Sequence, residues 1–257
     1  MTLVEQKFSL DLGIQSRMRI KAQLRRFQVM AAHTPARDLF RAAYENRYTW
    51  DSDFPGYVAD VELRQAEDIH TGKIQVNPDL SVEITNITDE AVQESLYTQM
   101  RDVITHRKYT PFEKAHGSST FTLGKLDSSG SQEIVVAGDA MGSNYCVRDH
   151  QISLVSRVMG RMAFIIHHKQ SLETGAGYIS SKYSAVFRNP KTNEIIRQME
   201  FEDTYEPIGN YYVMTRQLVR THEQGQTTLI DIQFSNVKLL QPATVWWPLI
   251  GMGQQHK

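Results

Sequence analysis

Between Asp127 and Gly225 the chain is cut at regular intervals by turn-forming residues, and this rhythm constrains the fold more than any other feature. The separators are Asp127-Ser128-Ser129-Gly130, Gly138-Asp139, Arg148-Asp149-His150, Gly160, Gly175-Ala176-Gly177, Asn189-Pro190-Lys191-Thr192-Asn193, Pro207-Ile208-Gly209-Asn210 and Glu223-Gln224-Gly225. Glycine supplies positive φ, proline a fixed φ, and Asn, Asp and Ser a side chain that bonds its own backbone. The intervening segments have strand length and alternate or run apolar. They predict strands over 120–126, 133–137, 143–149, 152–158, 162–168, 178–187, 194–204, 211–220 and 227–239. Strands joined in succession by tight turns form a meander of antiparallel hairpins.

Upstream, Thr34-Pro35 opens a helix over 35–46, with an N-cap followed by proline in the first turn. Its apolar face is Leu39, Phe40, Ala43 and Tyr44. A turn-rich aromatic stretch, Trp50 to Tyr57, precedes strands over 57–63, 73–76 and 80–85. His70-Thr71-Gly72 and Asn77-Pro78-Asp79 read as the turns between them. A second helix is expected over 89–107, capped by Thr88 or Asp89. Val92, Leu96, Met100 and Val103 share one face, and His106, Arg107 and Lys108 suit the negative end of its dipole. No further helix is expected before the C-terminus. A dozen strands exceed the roughly ten that an open flat sheet tolerates. The expected class is therefore mainly β (α+β): a long antiparallel meander curled into a half-open barrel, with two short helices across one face.

Three segments follow from this: a basic N-terminal extension over 1–34, a single curved antiparallel β domain over 35–241, and a C-terminal tail over 242–257. From Leu12 to Arg37 there is no acidic residue, while Arg17, Arg19, Lys21, Arg25, Arg26 and Arg37 are basic. Ile14, Met18, Leu24 and Phe27 are spaced loosely for one helical face. Three readings stand side by side: a basic amphipathic helix over 14–30 that contacts a membrane peripherally or targets the chain, a plain basic tail, or an upstream over-extension with the true start at Met30.

Composition narrows the function classes. With 40 % hydrophobic and 22 % charged residues, the 257-residue chain can build a real core. A formal net charge of −1 gives no bulk pull toward nucleic acid. Cys146 is the only cysteine, so an intrachain disulfide is excluded. No apolar run reaches the roughly 18 residues of a membrane-spanning helix, and no secretory signal is visible. The expected location is cytoplasmic, at most peripheral to a membrane surface.

Candidate chemistry is sparse. His167 and His168 are adjacent in a strand, so they point to opposite faces and cannot chelate one ion together. At most one faces inward, with His150 or Cys146 as a companion, and no zinc spacing is present. Cys146 with His150 nearby would suit a nucleophile, but an orienting partner for the base is lacking. Glu200 and Glu202 share one strand face, with Asp203 on the other; they fit a solvated row better than an acid–base pair, and Phe201 and Tyr205 take the other side. Gly138-Asp139-Ala140-Met141-Gly142-Ser143 lacks the lysine of a phosphate loop, and Asp51-Ser52-Asp53 lacks the rest of a calcium loop. No cofactor and no metal are expected.

The densest aromatic group is Tyr44, Tyr48, Trp50, Phe54 and Tyr57. Its rings serve either to pack the first helix or to rim a cavity mouth. Met159, Met162, Phe164 and Ile166 lie near period two and would line the inner face of the sheet.

The order helix, strands, helix, long meander, ending in Pro207-Ile208-Gly209-Asn210-Tyr211-Tyr212-Val213-Met214 and Ile230-Asp231-Ile232-Gln233-Phe234-Ser235-Asn236-Val237-Lys238-Leu239, resembles the periplasmic lipoprotein-carrier (LolA-like) half-barrel family over roughly 35–240. The run Pro35-Ala36-Arg37-Asp38-Leu39-Phe40-Arg41-Ala42-Ala43-Tyr44-Glu45-Asn46-Arg47-Tyr48-Thr49-Trp50, with the turn Phe54-Pro55-Gly56-Tyr57, resembles more specifically an uncharacterised conserved family of cyanobacteria and plastid-bearing organisms. The first resemblance implies a cupped sheet that leaves room for an apolar ligand. The lipoprotein carriers are exported, and this chain departs from them in showing no export signal.

The expected function is accordingly a non-enzymatic binding or carrier protein for a lipid, isoprenoid or pigment. Ligand contacts are expected from Tyr44, Tyr48, Trp50, Phe54, Tyr57, Met162, Phe164 and Ile166. An interaction or assembly factor that holds a protein partner is the first alternative, and an enzyme with an unrecognised site in the cup is the second.

Overall fold

The computed structural model describes residues 35–138 and 143–241. The N-terminal extension with its amphipathic segment and Met30, most of the loop between Gly138 and Ser143, and the tail from Pro242 onward lie outside the described residues.

Twelve strands form one antiparallel sheet in the order β3-β2-β1-β12-β11-β10-β9-β8-β7-β6-β5-β4. They are β1 (Tyr57–Gln65), β2 (Asp68–Val76), β3 (Val82–Thr85), β4 (Thr120–Leu126), β5 (Gln132–Ala137), β6 (Ser143–Arg148), β7 (Gln151–Met159), β8 (Met162–Glu173), β9 (Tyr178–Arg188), β10 (Ile195–Ile208), β11 (Tyr211–Glu223) and β12 (Gln226–Leu239). From β4 to β12 every strand neighbours its successor, as the turn rhythm predicts. β1 pairs with β12, so the first three strands extend the far end of the meander, and β3 and β4 are the two edges of an open sheet.

Among the described residues, three helices accompany the sheet: α1 (Pro35–Glu45), α2 (Glu90–Thr105) and α3 (Phe112–His116). The third is not expected from the sequence, because five residues are too few to display a helical period. Its boundary residue Pro111 cannot continue a preceding helix, and Phe112 and His116 are four apart on one face. α2 ends before the basic residues assigned to its last turn: His106 is its C-cap. Its start is as expected, with Asp89 Oδ1 accepting from the Ala91 and Val92 amides at 2.9 and 3.1 Å.

A second correction concerns His70-Thr71-Gly72, which lies inside β2, paired with Leu63, Glu62 and Val61 of β1. The turn is Ala66-Glu67, with Ala66 at φ 52°. Gly72 does not bend the chain. It makes room: a Cβ there would sit 2.6 Å from both Ile87 Cγ1 and the Thr85 carbonyl.

The chain groups into two compact units. Among described residues, the first holds 35–48, 110–202 and 219–229. Its core is the face of α1 that carries Ala36, Phe40 and Ala43, set on Phe112, Phe121, Ile134, Val136, Tyr145, Val147 and Ile152. Phe40 is the hub, with ring centroids 4.6 Å from Tyr145, 5.1 Å from His116 and 5.5 Å from Phe121. The end of α1 is pinned where the Tyr48 amide donates to the Tyr178 carbonyl and the Tyr178 amide to the Asn46 carbonyl, each at 2.9 Å. Gly177, at φ 124°, permits that approach, since a Cβ would strike the Asn46 carbonyl and the Tyr48 amide.

The second unit holds 49–109, 203–218 and 230–241. α2 packs on β3, and Leu96, Met100, Val103 and Ile104 are its buried residues. β1 and β12 alternate buried and exposed positions, with Val61, Leu63, Ile232 and Phe234 inward.

Candidate functional site

The first unit carries an apolar sheet face that is only half covered. The antiparallel register aligns its side chains in cross-strand rows. One row is Arg157, Phe164, Phe187 and Arg197, contributed by β7, β8, β9 and β10 in turn. The next is Val155, Ile166, Ala185 and Met199, and beyond it His168, Tyr183 and Phe201. On the other side, Met159 faces Met162 at the hairpin end. Tyr145 pairs with Val155, so this is the face that α1 covers at β6. Beyond Val155 the cover thins: Phe164, Ile166, Tyr183, Phe187 and Met199 are half-buried although they sit in interior strands. Met159 is 54 % and Met162 39 % exposed.

The aromatic residues on this face are ordered by their own contacts. Tyr183 and Phe201 stack at 4.5 Å and 12°, and Phe164 lies 6.3 Å from Phe187. His168 Nδ1 shares a 2.6 Å hydrogen bond with Ser180 Oγ. Arg157 reaches back to β6, donating to Ser143 Oγ at 2.8 Å and to the Tyr145 hydroxyl at 2.7 Å. Arg197 lies over the Phe187 ring, its guanidinium carbon 4.8 Å from the centroid. The opposite face reads differently. Its rows include Leu154, His167, Ser184 and Glu200, with Glu200 paired to Lys169 and Arg220, and Glu202 to Lys182.

Of the residues picked from the sequence, Met162, Phe164 and Ile166 share the half-covered face. Tyr44 and Tyr48 belong to the same unit but to its α1 side. The Tyr44 hydroxyl donates to the Thr110 carbonyl at 3.0 Å and its ring carries the Arg47 guanidinium at 3.9 Å, while Tyr48 is buried. Trp50, Phe54 and Tyr57 belong to the other unit and are buried there. Trp50 stacks on Phe54 at 3.9 Å, its indole N–H donates to the Tyr212 carbonyl at 3.2 Å, and burial pushes the Tyr57 phenol well above its usual pKa. The sequence reading overlooked Arg157, Phe187, Arg197 and Met199, whose alignment depends on register.

The second unit holds a buried polar chain that was also overlooked. Gln99 Nε2 donates to Gln217 Oε1 at 2.8 Å, and Gln217 Nε2 donates to Asp203 Oδ1 at 2.8 Å. The Tyr205 hydroxyl donates to Asp203 Oδ2 at 3.3 Å and receives Arg107 Nη2 at 3.4 Å. Burial is the main cause that raises the Tyr205 phenol. Arg107, Asp203 and Gln217 are all buried. These links tie α2 to β10 and β11 through buried hydrogen bonds.

The remaining candidates are scattered. Cys146 is half-buried, with its thiol pushed up first by burial and then by the Glu133 carboxylate, the reverse of an activated nucleophile. Asp51 Oδ1 accepts from the Asp53 amide and the Tyr211 hydroxyl. Among the described residues, no three His, Cys, Asp or Glu side chains are grouped to hold a metal, and no helix is long and apolar enough to cross a membrane.

No curated protein matches the chain. Three solved structures with a similar layout are a LolA superfamily protein from Nitrosomonas europaea (10 % identity, TM-score 0.35, covering 82 % of this chain and 96 % of that one), a putative outer membrane lipoprotein-sorting protein domain from Vibrio parahaemolyticus (8 %, 0.32, 79 % and 92 %), and the MucA/MucB complex of Pseudomonas aeruginosa (9 %, 0.22, 78 % and 93 %). A family model described as "Protein of unknown function (DUF3386)" matches residues 31–240, and the chain belongs to that family.

Proposed function

We propose that the protein is a non-enzymatic carrier or binding protein for an apolar ligand (a lipid, isoprenoid or pigment) that lies on the half-covered face of β7 to β10. One observation carries this: Phe164, Ile166, Phe187 and Met199 keep partial exposure in the interior of a sheet, next to exposed Met159 and Met162. Large contiguous apolar exposure costs a monomer solubility and marks a binding surface. Methionines at its end suit variable ligand shapes, because a thioether chain repacks at little cost. Ligand contact falls to Met162, Phe164 and Ile166. Tyr44, Tyr48, Trp50, Phe54 and Tyr57 keep packing roles in this proposal, since their rings already have protein partners. The proposal also keeps a cytoplasmic location, at most peripheral to a membrane.

The test is organic extraction and native mass spectrometry of freshly purified protein, followed by titration of stripped protein with a fluorescent acyl probe. A co-purifying lipid or pigment is expected, together with saturable probe binding that Ile166→Glu and Phe187→Glu each weaken at least about tenfold while circular dichroism stays unchanged. Absence of both a bound molecule and saturable binding sinks the proposal.

A further inference from the structure

The apolar rows of β7 to β10 contain two cations and no carboxylate. Arg157 and Arg197 stand at the two ends of the row whose centre is Phe164 and Phe187. The arginines with ion pairs among the described residues are Arg37, Arg41, Arg64, Arg101, Arg148, Arg216 and Arg220, so neither of these two is included. The carboxylates of Glu200 and Glu202 sit on the opposite face, each with its own lysine. A half-buried guanidinium next to apolar groups is desolvated without the compensation of an anion, which a stability-optimised surface would avoid.

Both guanidiniums are held in place. Arg157 is fixed by two hydrogen bonds to buried residues, Ser143 Oγ and the Tyr145 hydroxyl, through Nε and Nη2. Those contacts leave Nη1 and its donors uncommitted. Arg197 is held by the Phe187 ring, a contact that uses none of its N–H donors. Planar, pre-positioned guanidinium donors match carboxylate and phosphate oxygens. Along the strands, the rows from Met162 to His168 span about 20 Å, at about 3.4 Å per residue.

Building on the carrier reading, we infer that the ligand is an acyl lipid with an anionic head. Its carboxylate or phosphate is bound by Arg197, whose contact with the Phe187 ring uses no N–H donor, with Arg157 adding a favourable charge from the far end of the row, and its chain lies along Phe164, Ile166, Phe187 and Met199. Charge complementarity selects this occupant over a neutral isoprenoid or an apolar protein segment. Either of those would cover the face and leave both guanidiniums desolvated.

The experiment titrates the full-length, stripped protein with oleate and with oleyl alcohol, which share a chain and differ in head charge. Oleate labelled with ¹³C at the carboxyl carbon gives a second readout. Oleate is expected to bind at least about tenfold tighter than the alcohol, the scale of one or two charge-assisted hydrogen bonds, and its carboxyl is expected to stay ionised to lower pH when bound. Arg157→Gln combined with Arg197→Gln should bring oleate down to the affinity of the alcohol and leave alcohol binding unchanged. If removal of the Ser143 and Tyr145 contacts unfolds the double variant, Arg197→Gln alone should still lower oleate affinity selectively. Equal binding of both probes overturns the anionic head while the carrier reading stands. Binding of neither overturns the anionic acyl ligand, and the carrier reading falls with it where no lipid or pigment co-purifies.

Discussion

His116 should make the first unit acid-labile, and the size of the effect can be worked out. Its ring is buried at 9 % exposure, edge-on to Phe40 at 5.1 Å and to Tyr44 at 5.0 Å, and its Nδ1 has no hydrogen-bond partner among the described residues. Burial, and then the cations Arg47, Arg157 and Arg37, push its pKa down to about 4 from an ordinary 6.5. The folded form thus binds the proton less readily than the unfolded chain. Between these two values the unfolded state carries the extra proton, so stability rises with pH through the window and is lost as pH falls from 6.5 toward 4. At about 1.4 kcal/mol for each pH step inside that window, the loss between pH 7 and pH 5 is about 2 kcal/mol, approaching about 3 kcal/mol near pH 4. His116→Phe keeps the ring contacts and removes the titrating group. Urea unfolding of both proteins at pH 7 and pH 5 should show a steeper loss in the wild type by about 2 kcal/mol, with the variant at least as stable at pH 7 because a desolvated nitrogen has gone. An imidazole that titrates near 6.5 by NMR, or identical pH dependence in the two proteins, refutes the reasoning.

Three further outcomes are expected. Asp203→Ala removes the acceptor for both Gln217 and Tyr205 in a buried setting, and should cost about 3 kcal/mol in denaturant unfolding. Gly177→Ala combines a φ of 124° with a clash on the Asn46 carbonyl; a drop in melting temperature larger than that of Gly175→Ala, where a Cβ meets nothing, is the expected calorimetric result. Cys146, with a raised thiol pKa and partial burial, should alkylate with iodoacetamide more slowly at pH 7.5 than an exposed cysteine in the urea-unfolded chain.

Much of the fold was legible because turns advertise themselves. Nine strands from β4 to β12 follow from where glycine, proline and asparagine interrupt the chain, and the observed strands mostly lengthen those segments by a few residues. The misreadings have a common cause. At Gly72 the residue type that signals a turn was selected for a different reason, the closeness of Ile87 and the Thr85 carbonyl. That is a tertiary fact with no local trace. At Phe112–His116 the helix is shorter than the period by which helices are recognised.

The candidate face shows where sequence reading reaches its limit more sharply. Met162, Phe164 and Ile166 could be found by alternation within one strand. Arg157 was reachable one step further: Gly160-Arg161 is a two-residue turn, so Met159 must face Met162 and Arg157 must face Phe164. Phe187 and Arg197 were not reachable, because the count from β8 to β9 passes register shifts between His168 and Ser171, and another shift falls between Ile195 and Arg197. A bulge moves every later residue to a new partner without a mark in the sequence. The buried polar chain did leave a mark. Phe201, Asp203 and Tyr205 alternate on the inward side of β10, so Asp203 is a carboxylate where the pattern calls for an apolar residue. Such a break in pattern requires compensation, and here Gln217 and Tyr205 supply it. The sequence reading weighed Glu200 and Glu202, which keep the pattern and face solvent, and noted Asp203 on the other face without drawing a role from it. The residue that violates the pattern was the informative one.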